Sequence, residues 1–178
     1  MKMKMYSGKK MMTIGVGTFE VVDEMITVGD PCYDRNGVEM LKAKNGTYHV
    51  FVKMSDEGKW GVRVAELLAI HEDANFGNND LEWDPCDFSL PVDSGTMGIY
   101  DNEYHYDHHY NGLDEKWYDK NVCDGLDKNC RFHIVDNRCV ISESGLGDGC
   151  YDVDVVFDDL DTETICAVRI IFIDEDDE

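Results

Sequence analysis

Basic residues are scarce in this sequence, and their scarcity narrows the classes of partner that the protein can bind. The 178 residues include 16 lysines and arginines but 38 aspartates and glutamates, which gives a formal net charge of −22. A field of this sign repels nucleic acid and anionic membranes, and it attracts cationic surfaces and metal ions. We therefore expect no direct contact with nucleic acid or membrane, although the same charge can also serve solubility alone.

Long apolar runs and paired cysteine motifs are also missing. No stretch approaches the roughly 20 apolar residues that a membrane-spanning helix requires. The first residues, MKMKMYSGKKMM, are too short and too polar for a secretory signal. The seven cysteines are odd in number and form no Cys-x-x-Cys pair. Free thiols in a reducing compartment are the simplest interpretation, so we expect a location in the cytoplasm of a bacterial host.

The sequence does contain many short runs in which apolar and polar residues alternate. Turn residues such as Asn45-Gly46 and Ser94-Gly95 separate these runs. The best helix candidate is Leu113–Val122, which has acids in its first turn. We therefore predict a mainly β (α+β) fold, either an antiparallel β-sandwich or a pseudo-symmetric barrel, with one or two short helices.

Two segments of the chain share one strand pattern, Gly-x-Tyr-x-Val-x-Val. They are GTYHVFV at residues 46–52 and GCYDVDV at residues 149–155. Each segment is followed by a polar loop and by a second strand that contains a Val-Arg step. The pattern favours two related hairpin units, although two hairpins can also resemble each other by chance.

The charge divides the chain into two parts. Residues 1–12 hold four of the lysines and no acid, so residues 13–178 carry a formal charge of −26. We predict a flexible basic N-terminus at 1–12 and a single acidic β-rich domain at 13–178, with 13–101 and 129–173 as candidate duplicated halves. The alternating runs predict these core residues: Tyr48, Val50, Val52, Val62, Val64, Val153, Val155, Val168, Ile170 and Phe172.

One strand of the second hairpin alternates aspartate with valine, from Asp152 to Val155. Side chains at positions i and i+2 share a face and lie about 6.6 Å apart, a spacing that can imitate successive phosphates. Neighbouring like charges repel, so such a row suggests a partner or a metal. The predicted partner-binding residues are an acidic row (Asp152, Asp154, Asp158, Asp159, Asp161, Glu163), a second patch (Asp174, Glu175, Asp176, Asp177) and rim tyrosines (Tyr104, Tyr106, Tyr110).

The segment NEYHYDHHY at residues 102–110 concentrates imidazoles, carboxylates and tyrosines. Imidazole and carboxylate groups are ligands for zinc and other divalent metals. The candidate metal ligands are His105, Asp107, His108 and His109. The alternative is a polar aromatic loop packed on the sheet, because the His-Glu-x-x-His pattern of metalloproteases is absent.

Five segments carry a resemblance to a known family: VGDPCYD (28–34), NGTYHVFV (45–52), WGVRVAEL (60–67), VDSGTMGIYD (92–101) and SGLGDGCYDVDV (144–155). Over residues 25–173 the chain resembles an uncharacterised family of bacterial and phage proteins, a domain of unknown function. The most specific motifs are Val-Asp-Ser-Gly and Ser-Gly-x-Gly-Asp-Gly-x-Tyr. The resemblance implies a β-rich single domain and no particular activity, and the acidic row departs from the family pattern.

We predict a non-enzymatic binding protein that presents carboxylates to a basic host protein. Its most concrete form is a nucleic-acid mimic from a phage or mobile element, which would occupy the positively charged DNA or RNA channel of a nuclease as anti-CRISPR and anti-restriction proteins do. One alternative is a metal-dependent hydrolase that uses the His105–His109 cluster and zinc or another divalent metal. The other is a housekeeping β-domain. The leading prediction needs no cofactor.

Overall fold

The protein folds as two open antiparallel β-sheets. The computed structural model describes residues 10–74, 81–110, 112 and 114–175. The six-stranded sheet has the order β1 (Met11–Val21), β4 (Gly46–Asp56), β5 (Val62–His71), β11 (Ile165–Ile171), β10 (Gly149–Phe157) and β6 (Asp84–Val92). The five-stranded sheet has the order β3 (Glu39–Lys42), β2 (Met25–Gly29), β7 (Thr96–Asp101), β9 (Cys139–Glu143) and β8 (Phe132–Val135). The predicted mainly β fold is confirmed, and the open sheets are consistent with the β-sandwich.

Two short helices follow β7. Helix α1 (Asn102–His109) was not predicted, because the segment had been interpreted as a metal site or a loop. The Asp101 carboxylate caps it by accepting from the Tyr104 amide at 3.3 Å. Helix α2 (Glu115–Tyr118) continues into one π-helical turn, Asp119–Cys123, which ends one residue beyond the predicted helix Leu113–Val122. Leu113, the first residue of the predicted helix, lies outside the described residues. None of the described helices is long and apolar enough to cross a membrane.

The two related hairpins lie side by side in one sheet. Strands β4 and β5 form the first hairpin, and β10 and β11 form the second. The hairpins join through the antiparallel β5–β11 pair, in which Leu67 faces Ile170. A two-fold rotation between β5 and β11 would generate this order, and the Gly-x-Tyr-x-Val-x-Val segments begin equivalent strands, β4 and β10. The Val-Arg steps are not equivalent, because Val62 pairs with Asp56 whereas Val168 pairs with Val155. The five-stranded sheet is built from strands outside these hairpins.

The core lies between the sheets and contains nine of the ten predicted core residues. Val62 is the exception, with 47% of its surface exposed. It pairs with Asp56 at the end of the first hairpin, next to the 3₁₀ turn Gly58–Trp60, where no second layer covers it. The buried residues are Tyr48, Val50, Val52, Val64, Val153, Val155, Val168, Ile170 and Phe172.

The basic N-terminus is partly outside the described region. Residues 1–9 are not described, and Lys10 is exposed. Strand β1 begins at Met11 and pairs with β4 through Met11 and Ser55. Two residues of the predicted flexible segment 1–12 therefore belong to the six-stranded sheet.

The exposure difference within β5 predicts a difference in stability between two valine substitutions. Val64→Ala should lower the free energy of unfolding by about 2 kcal/mol, because it removes buried methyl groups and leaves a cavity. Val62→Ala, two residues away, should cost less than about 1 kcal/mol. Urea denaturation of both variants measures the difference. Equal losses would show that Val62 is packed as deeply as Val64.

Candidate functional site

The acidic row is interrupted in its middle. Asp152 is exposed, but Asp154 is only 9% exposed. The Asp154 carboxylate accepts two hydrogen bonds from Arg169, from Nε at 2.9 Å and from Nη2 at 2.6 Å. A partner-binding role for Asp154 requires its carboxylate to face solvent, and it does not. The β10–β11 register places it directly opposite Arg169, so its charge is paired within the protein.

A small apolar cluster covers the sheet beside this ion pair. The Arg169 guanidinium carbon lies 4.5 Å from the centre of the Trp83 ring. Trp83 belongs to a segment that packs on the outer face of the six-stranded sheet, so apolar contacts separate Asp152 from the acids that follow β10. The cluster consists of Ile70, Val156, Cys166 and Ala167, with Phe51, Ala74, Leu81 and Trp83 packed against them.

The loop between β10 and β11 carries the other four members of the acidic row. Asp161 shapes this loop, because its carboxylate accepts from the Glu163 amide at 3.1 Å and from the Thr164 hydroxyl at 2.8 Å. These hydrogen bonds and Lys42, at 3.6 Å, lower the pKa of Asp161. Asp159 and Glu163 are exposed. Leu160, at the tip of the loop, is 92% exposed.

Five carboxylates and one lysine line a cleft of about 590 Å³ where this loop meets the segment before β6. Lys44 Nζ lies 3.3 Å from Asp73 and 3.8 Å from Asp158, and Asp73 raises the pKa of Lys44. We call this feature the acidic cleft. Its carboxylates are Asp73, Glu82, Asp84, Asp158 and Asp159, and its floor contains Ala74, Leu81, Val156, Phe157 and Cys166.

The sequence predicted only part of the acidic cleft. Asp158 and Asp159 belong to the acidic row, but Asp73, Glu82 and Asp84 come from a segment about 80 residues earlier in the chain. The available signal was the acidic character of that segment around Trp83. Only the long-range packing of the two segments brings the five carboxylates together.

The second predicted patch lies at the opposite end of β11. Asp174 and Glu175 are exposed, and Glu175 forms an ion pair with Lys53. Lys53 is also 3.6 Å from Glu66. Asp176 and Asp177 lie outside the described residues. Because β11 spans seven residues, roughly 20 Å of strand separates this patch from the acidic cleft.

The predicted metal ligands do not converge. With 3.6 residues per turn, α1 directs His105 and His109 inward, while Asp107 is exposed. The two inward rings stack with their centres 4.3 Å apart. His108 Nδ1 instead contacts the Asp114 carboxylate at 3.1 Å. Across the described residues, no group of three or more histidine, cysteine or acidic side chains is arranged to hold a metal ion.

The three rim tyrosines of α1 divide by position. Tyr104 is buried, and its hydroxyl donates to Asp136 at 2.6 Å while accepting from the Trp117 indole at 2.7 Å. Tyr106 and Tyr110 are exposed, and their ring centres are 4.4 Å apart. Tyr104 therefore holds α1 against α2, and only Tyr106 and Tyr110 are accessible to a partner.

A buried carboxylate explains two of the sequence motifs. Asp30, in VGDPCYD, is fully buried. It accepts hydrogen bonds from the amides of Asp93 at 2.7 Å and Ser94 at 2.8 Å, from the Ser94 hydroxyl at 2.6 Å, and from the Cys32 amide at 2.8 Å. These bonds fix the Val-Asp-Ser-Gly turn between β6 and β7. Asp30 was not predicted from the sequence as a structural residue, and its carboxylate connects the two sheets.

The Asp154–Arg169 pair predicts a clear loss of stability for one substitution on β10 and almost none for a neighbouring one. Asp154→Asn should lower the free energy of unfolding by about 1–3 kcal/mol, because it leaves the Arg169 guanidinium without its ionic partner. Asp152→Asn, on the same face but exposed, should change it by no more than about 0.5 kcal/mol. Chemical denaturation tests both. A neutral Asp154→Asn would show that the pair adds nothing to stability.

The stacked imidazoles predict a loss of stability in mild acid. Burial, His109 and Arg35 lower the pKa of His105 from 6.5 to about 2, and burial also lowers the pKa of His109. Below pH 6.5 the unfolded chain therefore binds protons that the folded chain does not, so stability falls as the pH falls.

Urea denaturation between about pH 7 and pH 4.5 measures this effect. His105→Phe should reduce the slope of unfolding free energy against pH by up to about 1.4 kcal/mol per pH unit. Tyr106→Phe, on the exposed face of the same helix, should leave the slope unchanged. An unchanged slope in His105→Phe would contradict the assignment.

Comparisons with known proteins found no similar protein from which a role for the acidic cleft could be transferred. The chain matches no protein-family model, no curated protein and no solved structure. The resemblance to the uncharacterised bacterial and phage family stays a prediction.

Proposed function

We propose that the protein is a non-enzymatic binding protein whose acidic cleft receives basic side chains of a partner protein. The observation that carries this proposal is the cleft itself, where five carboxylates surround one lysine over an apolar floor. A folded domain gains nothing from bringing like charges together. A cationic partner would turn this repulsion into attraction.

The cleft suits an arginine or lysine side chain better than a small cation. Such a side chain can lay its aliphatic stem on the apolar floor while its charged end meets the carboxylates. Arginine fits best, because its planar guanidinium binds carboxylates through paired hydrogen bonds. Within the described part of the chain, Glu82, Asp84 and Asp159 form no ion pair, so their carboxylates are available.

The chemistry of the cleft favours binding over catalysis. The thiol of Cys166 lines the cleft, and burial together with Asp158 and Asp159 raises its pKa. A nucleophilic cysteine needs the opposite shift, because the thiolate is the reactive form. Within the described residues the α1 histidines form no metal-ligand cluster, which does not favour the hydrolase alternative.

The more specific proposal concerns the identity of the partner. A host nuclease has a basic DNA or RNA channel, and its lysines and arginines can exchange counterions for carboxylates instead of phosphates. The acidic cleft and the β10–β11 loop would be the mimicking surface. The straight row along β10 does not support this version, because Asp154 is paired with Arg169.

The test is the affinity for a nona-arginine peptide, measured by fluorescence anisotropy at two salt concentrations. The triple variant Glu82→Gln, Asp84→Asn, Asp159→Asn should bind about 10- to 100-fold more weakly, from roughly 0.5–1 kcal/mol for each exposed pair. Its salt dependence should also be shallower. The control variant, Glu115→Gln, Asp124→Asn, Asp148→Asn, removes the same charge away from the cleft and should bind almost normally.

Equal weakening by both triple variants would overturn the proposal, because overall charge alone would then account for binding. Failure of the wild-type protein to bind the peptide would also overturn it and would leave the housekeeping alternative. A separate measurement tests the nuclease version, namely displacement of a labelled DNA duplex from a panel of RNA-guided and restriction nucleases. If the protein displaces no duplex, only the nuclease version fails.

A further inference from the structure

We infer that the partner inserts an extended, amphipathic basic segment into a groove between the edge strands β3 and β6. This inference rests on the proposed function and specifies the partner's chemistry. The groove has a volume of about 350 Å³ and is mainly apolar, with Leu41, Cys86, Phe88, Val155, Phe157 and Ile165 among its lining residues. Its charged lining residues are three acids, Asp84, Asp87 and Glu163, and one base, Lys42, which lies 3.6 Å from Asp161.

The groove adjoins the acidic cleft. Asp84 and Phe157 line both features. A single segment that follows the groove therefore also reaches the cleft, where a basic side chain of that segment would meet Glu82 and Asp159. Beside the shared wall, the tip of the β10–β11 loop exposes Leu160 almost completely, which adds apolar surface next to the carboxylates.

Both strands that flank the groove are sheet edges. Within the described residues, β3 pairs only with β2, and β6 pairs only with β10. Each edge has backbone groups that an added strand could bind. Strand β3 is the better template, because β6 contains Pro85 and Pro91, which lack amide hydrogens.

The apolar floor and acidic rim of the groove match the alternating side chains of an extended amphipathic chain. Alternate side chains of a strand point in opposite directions. Apolar side chains at every second position would contact the floor around Leu41 and Phe88. The basic side chains between them leave the strand on its other side, and their long stems would bend back to Asp87 and Glu163 at the rim. A second copy of this chain is a poor occupant, because its net charge of −22 would repel the rim.

Peptides of equal charge test the inference without altering the protein. Arg-Val-Arg-Val-Arg-Val-Arg-Val should bind at least ten-fold more tightly than Arg-Gly-Arg-Gly-Arg-Gly-Arg-Gly, because only the former has apolar side chains for the floor. Two further versions of the Arg-Val peptide carry N-methyl groups on the backbone amides of one edge or of the other edge. One of these two versions should bind at least ten-fold more weakly than the unmethylated Arg-Val peptide. Isothermal titration calorimetry measures these affinities.

The thiol of Cys86 locates the bound peptide. Cys86 lines the groove and is half-buried, whereas Cys123 is exposed at the end of the π-helical turn and lines neither the groove nor the acidic cleft. The Arg-Val peptide should slow alkylation of Cys86 by N-ethylmaleimide at least five-fold and leave Cys123 unchanged. Mass spectrometry of the peptides that contain each cysteine measures both rates.

The outcomes separate this inference from the proposed function. If the Arg-Val and Arg-Gly peptides bind equally, the inference is wrong and the acidic cleft remains the binding site. If the Arg-Val peptide binds tightly but leaves Cys86 reactive, or if N-methylation of neither edge weakens it, the groove is not its site or strand addition is not its mode. If no basic peptide binds, the proposed function itself fails.

Discussion

Arg169 contacts two groups at once, and their positions decide where the acidic cleft can form. Its guanidinium binds Asp154 on the neighbouring strand, and its face lies against the ring of Trp83. Trp83 stands between Glu82 and Asp84 in the chain, so the contact that holds the indole also carries these two carboxylates to the cleft. Asp154 of the acidic row therefore pairs with Arg169 inside the protein. Three other carboxylates of the acidic cleft, Asp73, Glu82 and Asp84, come from an earlier segment of the chain.

Two arginines of the five-stranded sheet region pair with carboxylates where strands meet. Arg138 pairs with the buried Asp101, which also accepts the Val22 amide at 2.8 Å and caps α1. Arg131 pairs with Glu143 at 2.5 Å across the β8–β9 pair. Ion pairs such as these neutralise carboxylates at strand junctions, where an unpaired charge would be costly. Asp30 is buried with amide and hydroxyl donors instead of an ionic partner. The acidic cleft is where several acids nearer the surface meet around a single lysine.

Local pattern predicted the parts of the structure that local forces determine. Alternation along β4, β5, β10 and β11 identified the strands and nine buried side chains, because one face of each strand must be apolar. Alternation could not show that Val62 lies where the second sheet ends. Helix α1 was missed because tyrosine and histidine, rather than aliphatic residues, occupy its buried positions. Of the five carboxylates in the acidic cleft, only Asp158 and Asp159 were predicted, because only tertiary packing joins the two segments that form it.

The join between the two hairpins has a consequence for how the chain folds. Each hairpin closes between strands that are near neighbours in sequence, but Leu67 and Ile170, which meet at the β5–β11 pair, are about 100 residues apart. Closing so large a loop carries an entropic cost that local hairpins avoid, so we expect this pair to form after the two hairpins. Until then β5 and β11 are unpaired edges of the kind that leads to aggregation. The strong negative charge would keep partly folded chains apart during that interval, so the acidity that we propose for binding would also protect the protein while it folds.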